Sequence, residues 1–230
     1  NTGLYQQPGF YELPLVSSEI KGVMRSVRLA LISVAPIAYD PVNARIRVYS
    51  KVTVRVTFEH PDWSATEANW RKGYSPYFEP AFDRVLNYEQ QVATVKDDLV
   101  KYPVKYVIIS DRMFEAQLQP FIEWKTKKGF EVITAYTDQI GTTNTAIKNY
   151  IEGLYNAGTP SDPAPSFVLF VGDAQQIPPF SGSAGSHVTD LRFCEFTGDI
   201  FPEIYYGRFS AQTTAQLQPQ IDKTLEYEQY

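Results

Sequence analysis

The chain has 230 residues, of which 43% are hydrophobic and 20% charged, a composition typical of a folded protein. Its net charge of −5 lacks the basic surplus of nucleic-acid-binding domains, and no apolar run reaches the roughly 18–20 residues of a membrane-spanning helix. The single cysteine, Cys194, excludes an internal disulfide and a cysteine-based metal cluster.

The first half of the chain has the two-residue periodicity of β-strands. Between Arg45 and Glu59 the apolar side chains occupy even positions, broken only by Ser50, and polar ones occupy odd positions. This pattern predicts one long strand with a buried face and a solvated face. Residues 27–31 alternate as well, so we expect an antiparallel pair. The arginines on the odd positions are typical of a solvated strand face and do not require nucleic acid.

Helical patterns follow this β-rich segment. Ser64 and Glu67 have the spacing of a capping box and predict a short helix that ends near Lys72. A second helical pattern begins near Ser75 and continues to about Gln91. Residues 92–102 are polar and have no clear periodicity, which indicates a boundary between two domains.

The second half alternates strands with helices, the pattern of an α/β domain with a mainly parallel sheet. The predicted strands cover residues 104–109, 131–136 and 166–171. Three helices are predicted: the first ends near Lys128, the second begins at Thr143, and the third extends from Thr213 to about Tyr227. Each strand is followed by an aspartate, namely Asp111, Asp138 or Asp173. The carboxyl edge of such a sheet is where ligands bind, but an aspartate there can also simply cap the next helix or turn.

Several common active sites find no support in the sequence. No glycine follows the first strand, which argues against dinucleotide binding, and the acidic pair and later lysine of a phospho-acceptor site are not clear. His187 and Cys194 flank a possible strand and would lie roughly 23 Å apart in an extended chain, too far for a catalytic dyad. We therefore expect neither His187 nor His60 to be catalytic.

The segment Gly198–Glu203, with the sequence GDIFPE, places two carboxylates four residues apart among apolar neighbours. A buried carboxylate needs a partner, and no lysine or arginine lies between Asp199 and Glu203. If the chain curls at Gly198, the two carboxylates and the Phe201 carbonyl could bind one hard cation, and oxygen ligands favour calcium over zinc. The alternative is a pair of solvent-facing acids at the start of a strand.

Several motifs of this sequence resemble the gingipain family of cysteine peptidases. In the second half they are Trp124–Lys125, Lys128–Phe130, Thr142–Asn144, Phe170–Asp173, Asp190–Leu191, Gly198–Tyr205, Gly207–Ser210 and Tyr227–Glu228. In the first half, Gly22–Arg25, Ser75–Glu79 and the long alternating strand resemble the end of the family's propeptide. The resemblance covers nearly the whole chain.

The resemblance implies a fold, a domain division and a metal site. Residues 1–95 would be the C-terminal part of a sandwich-like, β-rich propeptide domain, residues 96–102 a linker, and residues 103–230 the first subdomain of a three-layer, caspase-like α/β catalytic domain. The family's calcium ligands would fall on Asp199, Phe201 (through its carbonyl) and Glu203. A further ligand position falls on Thr197, where an aspartate of the family is replaced and the backbone carbonyl could serve instead. Asp173 is a weaker candidate for the same neighbourhood.

The resemblance also implies a secreted or cell-surface endopeptidase zymogen. The catalytic histidine and cysteine would lie beyond Tyr230, so we expect the 230 residues of this chain to be inactive by themselves. Their partners would be the rest of the catalytic domain and, in the parent protein, protein or peptide substrates. Lys96 and Lys101 are candidate sites of activation cleavage. The alternatives are a non-catalytic binding or surface-assembly protein of gingipain type, and an intracellular α/β binding module that calcium would not stabilise.

Overall fold

A computed structural model describes residues 5, 6, 8–88 and 102–229 of the chain. The chain divides into two compact units. The first unit contains Asn1–Gly22 and Arg28–Asp62, and the second contains Val23–Val27 and Trp63–Tyr230. Most of the predicted linker 96–102 lies outside the described residues, so the predicted boundary there stays a prediction.

Antiparallel strands build the first unit. Strand β1 (Val16–Met24) pairs with β2 (Val27–Val34), and β3 (Ile37–Asp40) pairs antiparallel with β4 (Arg45–Val48). The turn between β3 and β4 is held by Asp40, whose carboxylate accepts hydrogen bonds from the amide and side chain of Asn43 at 3.1 and 2.8 Å. This is the local side-chain-to-backbone bonding that favours aspartate at the start of turns.

The prediction of one strand from Arg45 to Glu59 is wrong in length. Strand β4 ends at Val48, and residues 51–58 have no regular secondary structure. Ile46 is 64% exposed and Val48 63%, so the expected buried face is absent from β4. The strand at residues 27–31 is confirmed, but its partner is β1. Periodicity marks a segment that can form a strand, whereas the ladder extends only as far as a neighbouring strand reaches, here the four residues of β3.

Short helices in the second unit follow the predicted order but not the predicted bounds. Helix α1 covers Trp63–Gly73, so Ser64 lies inside its first turn and is not its cap. The second helical pattern forms a 3₁₀ turn, Pro76–Phe78, and helix α2, Glu79–Phe82. The chain turns after Phe82, whose ring stacks on Tyr88 at 4.6 Å. Residues six apart in a continuous helix are separated by about 9 Å along its axis and point in different directions, so ring stacking between them requires the helix to end.

A four-stranded parallel sheet forms the centre of the second unit, in the order β10-β7-β5-β6. Its strands and the helices around it are, in chain order, β5 (Lys105–Ser110), α3 (Glu115–Lys127), β6 (Glu131–Tyr136), α4 (Thr137–Ile140), α5 (Asn144–Asn156), β7 (Phe167–Val171), β10 (Tyr205–Phe209) and α6 (Thr214–Gln229). Between β7 and β10 along the chain, β8 (Phe180–Ser181) and β9 (Val188–Thr189) form a separate two-stranded sheet. The predicted strands are confirmed, as is the cap of α5, where the Thr143 hydroxyl accepts from the Ala146 amide at 3.2 Å. The sequence analysis missed β10, a short strand that carries a glycine and pairs with β7.

Both faces of this sheet are buried, which explains the uninterrupted apolar runs of β5 and β7. Alternate residues of each strand point to opposite faces. One face packs against α5 and the other against α3 and α6. The first core contains Val107, Ile109, Val168, Phe170, Ile147 and Ile151, and the second contains Ile108, Leu169, Val171, Leu118, Phe121, Leu217 and Ile221.

A charged cluster joins α3 to the end of α6. The ammonium group of Lys125 donates to Glu228 at 2.7 Å and lies over the rings of Phe121 and Tyr106 at 5.1 Å. The same carboxylate accepts from the Trp124 indole at 2.9 Å and from Lys128 at 3.1 Å. Burial acts to raise the pKa of Glu228, but these hydrogen bonds outweigh it and the pKa is lowered.

We expect Glu228→Gln to lower the melting temperature at pH 7 and to flatten its acid dependence. Because the folded state lowers the pKa of Glu228, its stabilisation is complete above the ordinary value of 4.5 and is lost as the pH falls through the lowered value. Thermal melts between pH 3 and pH 7 measure this. Glu226→Gln, an exposed acid of the same helix, is the control and should keep the wild-type profile. Equal acid sensitivity of Glu228→Gln and wild type would contradict this account.

Candidate metal centre

Residues 195–203, which we call the acidic loop, form a tight curl before β10. Gly198 has φ +79°, a conformation that costs glycine little, which confirms the predicted bend. The Glu195 carboxylate accepts hydrogen bonds from the amides of Gly198 and, at 3.1 Å, Asp199. The Asp199 carboxylate in turn accepts from the Phe201 amide at 2.6 Å.

The curl brings Asp199 and Glu203 to the same hydroxyl group. Thr197 Oγ1 lies 2.8 Å from Asp199 Oδ2, 3.2 Å from Glu203 Oε1 and 3.5 Å from the carbonyl oxygen of Val23. A hydroxyl has one hydrogen and can donate to only one of these three oxygens. The cluster therefore has more acceptors than donors, which is the setting that a bound cation or an added proton relieves.

Glu203 is the more buried of the two acids, with no exposed surface. Burial raises its pKa to about 7, and the nearby charges of Asp199 and Glu195 act in the same direction. Hydrogen bonds from the Phe196 amide, 2.9 Å from Oε2, and from Thr197 act in the opposite direction but do not outweigh burial. The carboxylate of Glu203 is thus bonded by neutral donors, while the Arg25 guanidinium donates to the main-chain carbonyl of the same residue at 2.9 Å.

Asp199 is stabilised as a carboxylate. Burial acts to raise its pKa, but hydrogen bonds from the amides of Phe201 and Val23 and from the Thr197 hydroxyl outweigh it, so the pKa is lowered. The Val23 amide donates to Asp199 Oδ2 at 2.7 Å. This contact joins residues 176 positions apart in the chain, and no local pattern predicts it.

The donor set of the cluster suits calcium better than zinc. The three atoms that surround the Thr197 hydroxyl are all oxygens, two from carboxylates and one from a carbonyl, and hard oxygen ligands favour calcium. In the part of the chain that the structure describes, no three His, Cys, Asp or Glu side chains group closely enough to hold a metal ion. A calcium ion here would therefore need carbonyl oxygens and the Thr197 hydroxyl as ligands besides Asp199 and Glu203. The predicted ligand of Phe201 is its carbonyl, whereas the observed hydrogen bond of Phe201 to Asp199 uses its amide.

The third acid of the loop was missed in the sequence. Glu195, Asp199 and Glu203 recur every four residues, and that spacing was the available signal. Glu195 binds the amides of the bend and shapes the curl that presents the other two carboxylates.

Asp173 lies at the other edge of the sheet from the acidic loop, so its assignment to this neighbourhood is wrong. It follows the end of β7, whereas Glu203 precedes the start of the parallel strand β10, and a five-residue strand spans roughly 17 Å. The Asp173 carboxylate accepts from Ser210 at 3.1 Å and Gln212 at 2.7 Å. Asp111 caps a 3₁₀ turn and Asp138 pairs with Arg112, so each strand-end aspartate has a local structural partner.

Two motifs on which the family resemblance rests meet in one ion pair. Arg208 donates to both carboxylate oxygens of Asp190 at 2.7 and 2.8 Å, and to the carbonyls of Gly172 and Ile177 at 2.9 and 3.2 Å. This bidentate geometry fixes the 172–190 loop against β10. These two motifs therefore have a structural role in this unit.

Cys194 has the environment of an inert thiol. It is fully buried in the first core, and burial raises its pKa well above the ordinary value of 9.0, with the charge of Asp190 adding to the effect. Reactive cysteines have lowered pKa values and exposure, and Cys194 has neither. The chain bends in the possible strand between His187 and Cys194, because a 3₁₀ turn, Leu191–Phe193, follows β9.

Two family models match the two halves of the chain. A model of peptidase family C25 matches residues 100–230, and a model of the C25 propeptide matches residues 1–95. The chain belongs to peptidase family C25. This C25 chain is 36% identical over 230 residues to Lys-gingipain of Porphyromonas gingivalis, which covers 99% of the chain and 13% of that relative. It is 27% identical over 228 residues to gingipain R1 of the same species, covering 97% of the chain and 22% of the relative.

Solved structures support the gingipain fold of this C25 chain. A structure described as a protease has a TM-score of 0.53 at 40% identity and covers 60% of the chain and 31% of its own length. The Arg-specific cysteine proteinase gingipain R has a TM-score of 0.50 at 24% identity, covering 56% and 29%, which supports the fold alone. The predicted fold class is therefore confirmed: antiparallel strands first, then a parallel α/β sheet. The chain spans only a small part of its curated relatives and corresponds to propeptide followed by the start of the peptidase domain.

We expect the Cys194 thiol of the native protein to resist a thiol-specific disulfide reagent and to react fully after denaturation. The raised pKa keeps the thiol protonated, and burial blocks the reagent. Because the chain has one cysteine, absorbance of the released leaving group should rise to one equivalent in denaturant. Cys194→Ser is the control and should release none. Rapid labelling of the native protein would contradict the assignment of Cys194 as a core residue.

Proposed function

We propose that this chain is part of the zymogen of a cysteine endopeptidase. The observation that carries the proposal is the tandem match, with the C25 propeptide over residues 1–95 and the C25 peptidase over residues 100–230. In the parent protein a cysteine thiolate would attack the peptide carbonyl and a histidine would protonate the leaving amine. We place that cysteine in sequence other than these residues, because Cys194 is buried and its pKa is raised, and the histidine that acts on the same peptide bond would accompany it.

The proposal is tested with the full precursor and with these 230 residues expressed alone. We expect the precursor to be cut after Lys96 or Lys101 and then to cleave lysyl or arginyl peptides in a thiol-dependent way. Both lysines lie outside the described residues and are proposed from their polar sequence context. The chain alone should be inactive, because it would lack the reacting groups. N-terminal sequencing of the mature form and a peptide assay decide the matter; an active 230-residue chain, or a mature N-terminus far from residues 92–103, would overturn the proposal.

We propose further that the acidic loop binds calcium. Asp199 and Glu203 would supply carboxylates, and Thr197 and Phe201 would supply carbonyl oxygens. The support is the excess of acceptor oxygens around Thr197 and the complete burial of Glu203, whose carboxylate is bonded by an amide and a hydroxyl. The ion would neutralise the two acids and hold the loop that leads into β10. It would be structural, since it lies at the amino edge of the sheet, away from the carboxyl edge where ligands of such sheets bind.

We propose that the parent protein acts outside the cell or at its surface, on proteins or peptides. A loop that uses two carboxylates and several neutral oxygens is suited to the millimolar calcium of extracellular sites. In the part of the chain that the structure describes, no helix combines the length and the apolar character needed to cross a membrane.

We expect calcium to raise the melting temperature of the wild-type chain and to leave that of Asp199→Asn and Glu203→Gln unchanged. At a calcium concentration of about 100 times the dissociation constant, binding adds about 2.7 kcal/mol, which corresponds to a rise of about 5–10 °C for a chain of this size. Melts in calcium and in chelator measure the effect. Asp173→Asn is the matched control, because its carboxylate lies at the other edge of the sheet, and it should respond as wild type does. A wild type that does not respond to calcium would overturn the proposal.

A further inference from the structure

Arg25 is a buried cation at the tip of the β1–β2 hairpin. It is 2% exposed and belongs to the second compact unit. The two-residue turn consists of Arg25 and Ser26, with φ +50° and +67°. Turns of this kind favour Asn-Gly, because a positive φ is strained for other residues. The chain nevertheless places an arginine there, which indicates that the side chain, and not the turn, selects this residue.

The Arg25 guanidinium is surrounded by main-chain oxygens. Nη1 donates to the carbonyls of Pro165 and, at 2.9 Å, Glu203; Nη2 donates to the carbonyl of Ala164 at 2.7 Å and to the Ser166 hydroxyl at 3.3 Å. We call these three carbonyls and this hydroxyl the carbonyl socket. Its acceptors are spread around the planar guanidinium fork, a geometry that a lysine ammonium cannot reproduce.

Aromatic rings line the socket on two sides. The guanidinium carbon lies 5.2 Å from the ring centre of Phe78 and 5.5 Å from that of Tyr155. Cation–π contacts of this kind gain strength when the site is shielded from water. Ser166 is itself oriented, since its hydroxyl donates to Ser75 at 2.7 Å. The socket is therefore built from fixed groups on several elements.

The socket lies at the amino edge of the parallel sheet. Residues 164–166 lead into β7 and Glu203 leads into β10, and these strands run parallel with Phe167 opposite Tyr205. Ligands of open α/β sheets bind at the carboxyl edge. The socket is thus placed to hold a structural partner without occupying the edge where substrate is expected.

Arg25 and its acceptors come from the two different family matches. Arg25 and Ser26 lie in the region that matches the C25 propeptide, while Ala164, Pro165 and Glu203 lie in the region that matches the peptidase. The neighbouring Val23 amide also crosses this division when it bonds to Asp199 at 2.7 Å. The hairpin tip therefore connects the propeptide match to the peptidase match through charge-assisted hydrogen bonds, which are among the stronger non-covalent contacts.

We propose that the carbonyl socket is a guanidinium receptor in the peptidase domain, that its ligand is Arg25, and that this contact retains the propeptide after the chain between them is cut. The proposal rests on the precursor function proposed above. Arg25 is then a positioning residue that acts by holding the hairpin tip at the amino edge of the sheet. Its role is independent of the catalytic groups.

The test separates retention from activity. A recognition sequence for a site-specific protease replaces residues 96–101 in the full chain, and the cut protein is analysed by size-exclusion chromatography and by binding of the separated pieces. We expect the cut wild type to elute as one species. Arg25→Met should raise the dissociation constant about a hundredfold and Arg25→Lys about tenfold, because lysine keeps the charge but not the fork. Arg28→Met, at an exposed arginine three residues away, should behave as wild type.

A chemical rescue makes the result specific to the socket. In Arg25→Gly, added ethylguanidinium should raise the melting temperature of the uncut chain, whereas ethylammonium should not, and neither should do so in wild type. Should Arg25→Met fail to fold, Arg25→Lys and the rescue still decide the question. Undiminished retention of Arg25→Lys and Arg25→Met, or equal rescue by both cations, would overturn the proposal. Because the cut is engineered and no activity is measured, loss of the precursor function would leave this result interpretable.

Discussion

The parallel sheet, buried on both faces, is the constraint from which the rest of the second unit follows. Its strands run in one direction, so the segments that lead into them meet at one edge. Residues 164–166 and the acidic loop are two such segments, and they come together although about 30 residues separate them in the chain. Desolvation of the apolar strands provides the driving force, and the meeting of polar loops at the amino edge is its geometric consequence.

In the part of the chain that the structure describes, the buried cation at this edge of the sheet, Arg25, is held by main-chain carbonyl oxygens and not by a carboxylate. Glu203 takes part twice, because its carbonyl accepts from Arg25 while its carboxylate faces Thr197 and Asp199. Burial lowers the pKa of Arg25 to about 10, which leaves it protonated at neutral pH, and it raises the pKa of Glu203 to about 7. The two terminal nitrogens of the guanidinium donate to carbonyls and to the Ser166 hydroxyl, whereas its Nε has no partner among the described residues and the carboxylates have too few donors. One residue thus joins a site that accepts a cationic side chain to a site suited to a metal ion.

The family boundary and the compact units divide this chain in different places. Residues 23–27 and 63–88 match the propeptide yet belong to the same compact unit as the peptidase match. Phe78 stacks on Tyr205 with ring centres 4.0 Å apart, and Tyr77 contacts Phe167 edge to face at 4.9 Å. These aromatic contacts, like those of Arg25, bury surface across the family boundary. A cut in the chain at that boundary would therefore leave an apolar and charged interface in place.

Sequence alone determined the features that depend on neighbouring residues. The strand at residues 131–136, the Thr143 cap and the bend at Gly198 all follow from local patterns, and each is confirmed. Tertiary structure decided the features that depend on a distant partner: the end of β4 at Val48, the edge strand β10, the place of Asp173 and the burial of Arg25. Arg25 meets the Glu203 carbonyl 178 residues away, and an isolated arginine in a hairpin turn predicts exposure. Periodicity reports which face of a segment is apolar, whereas pairing and burial depend on which other segment the folded chain brings against it.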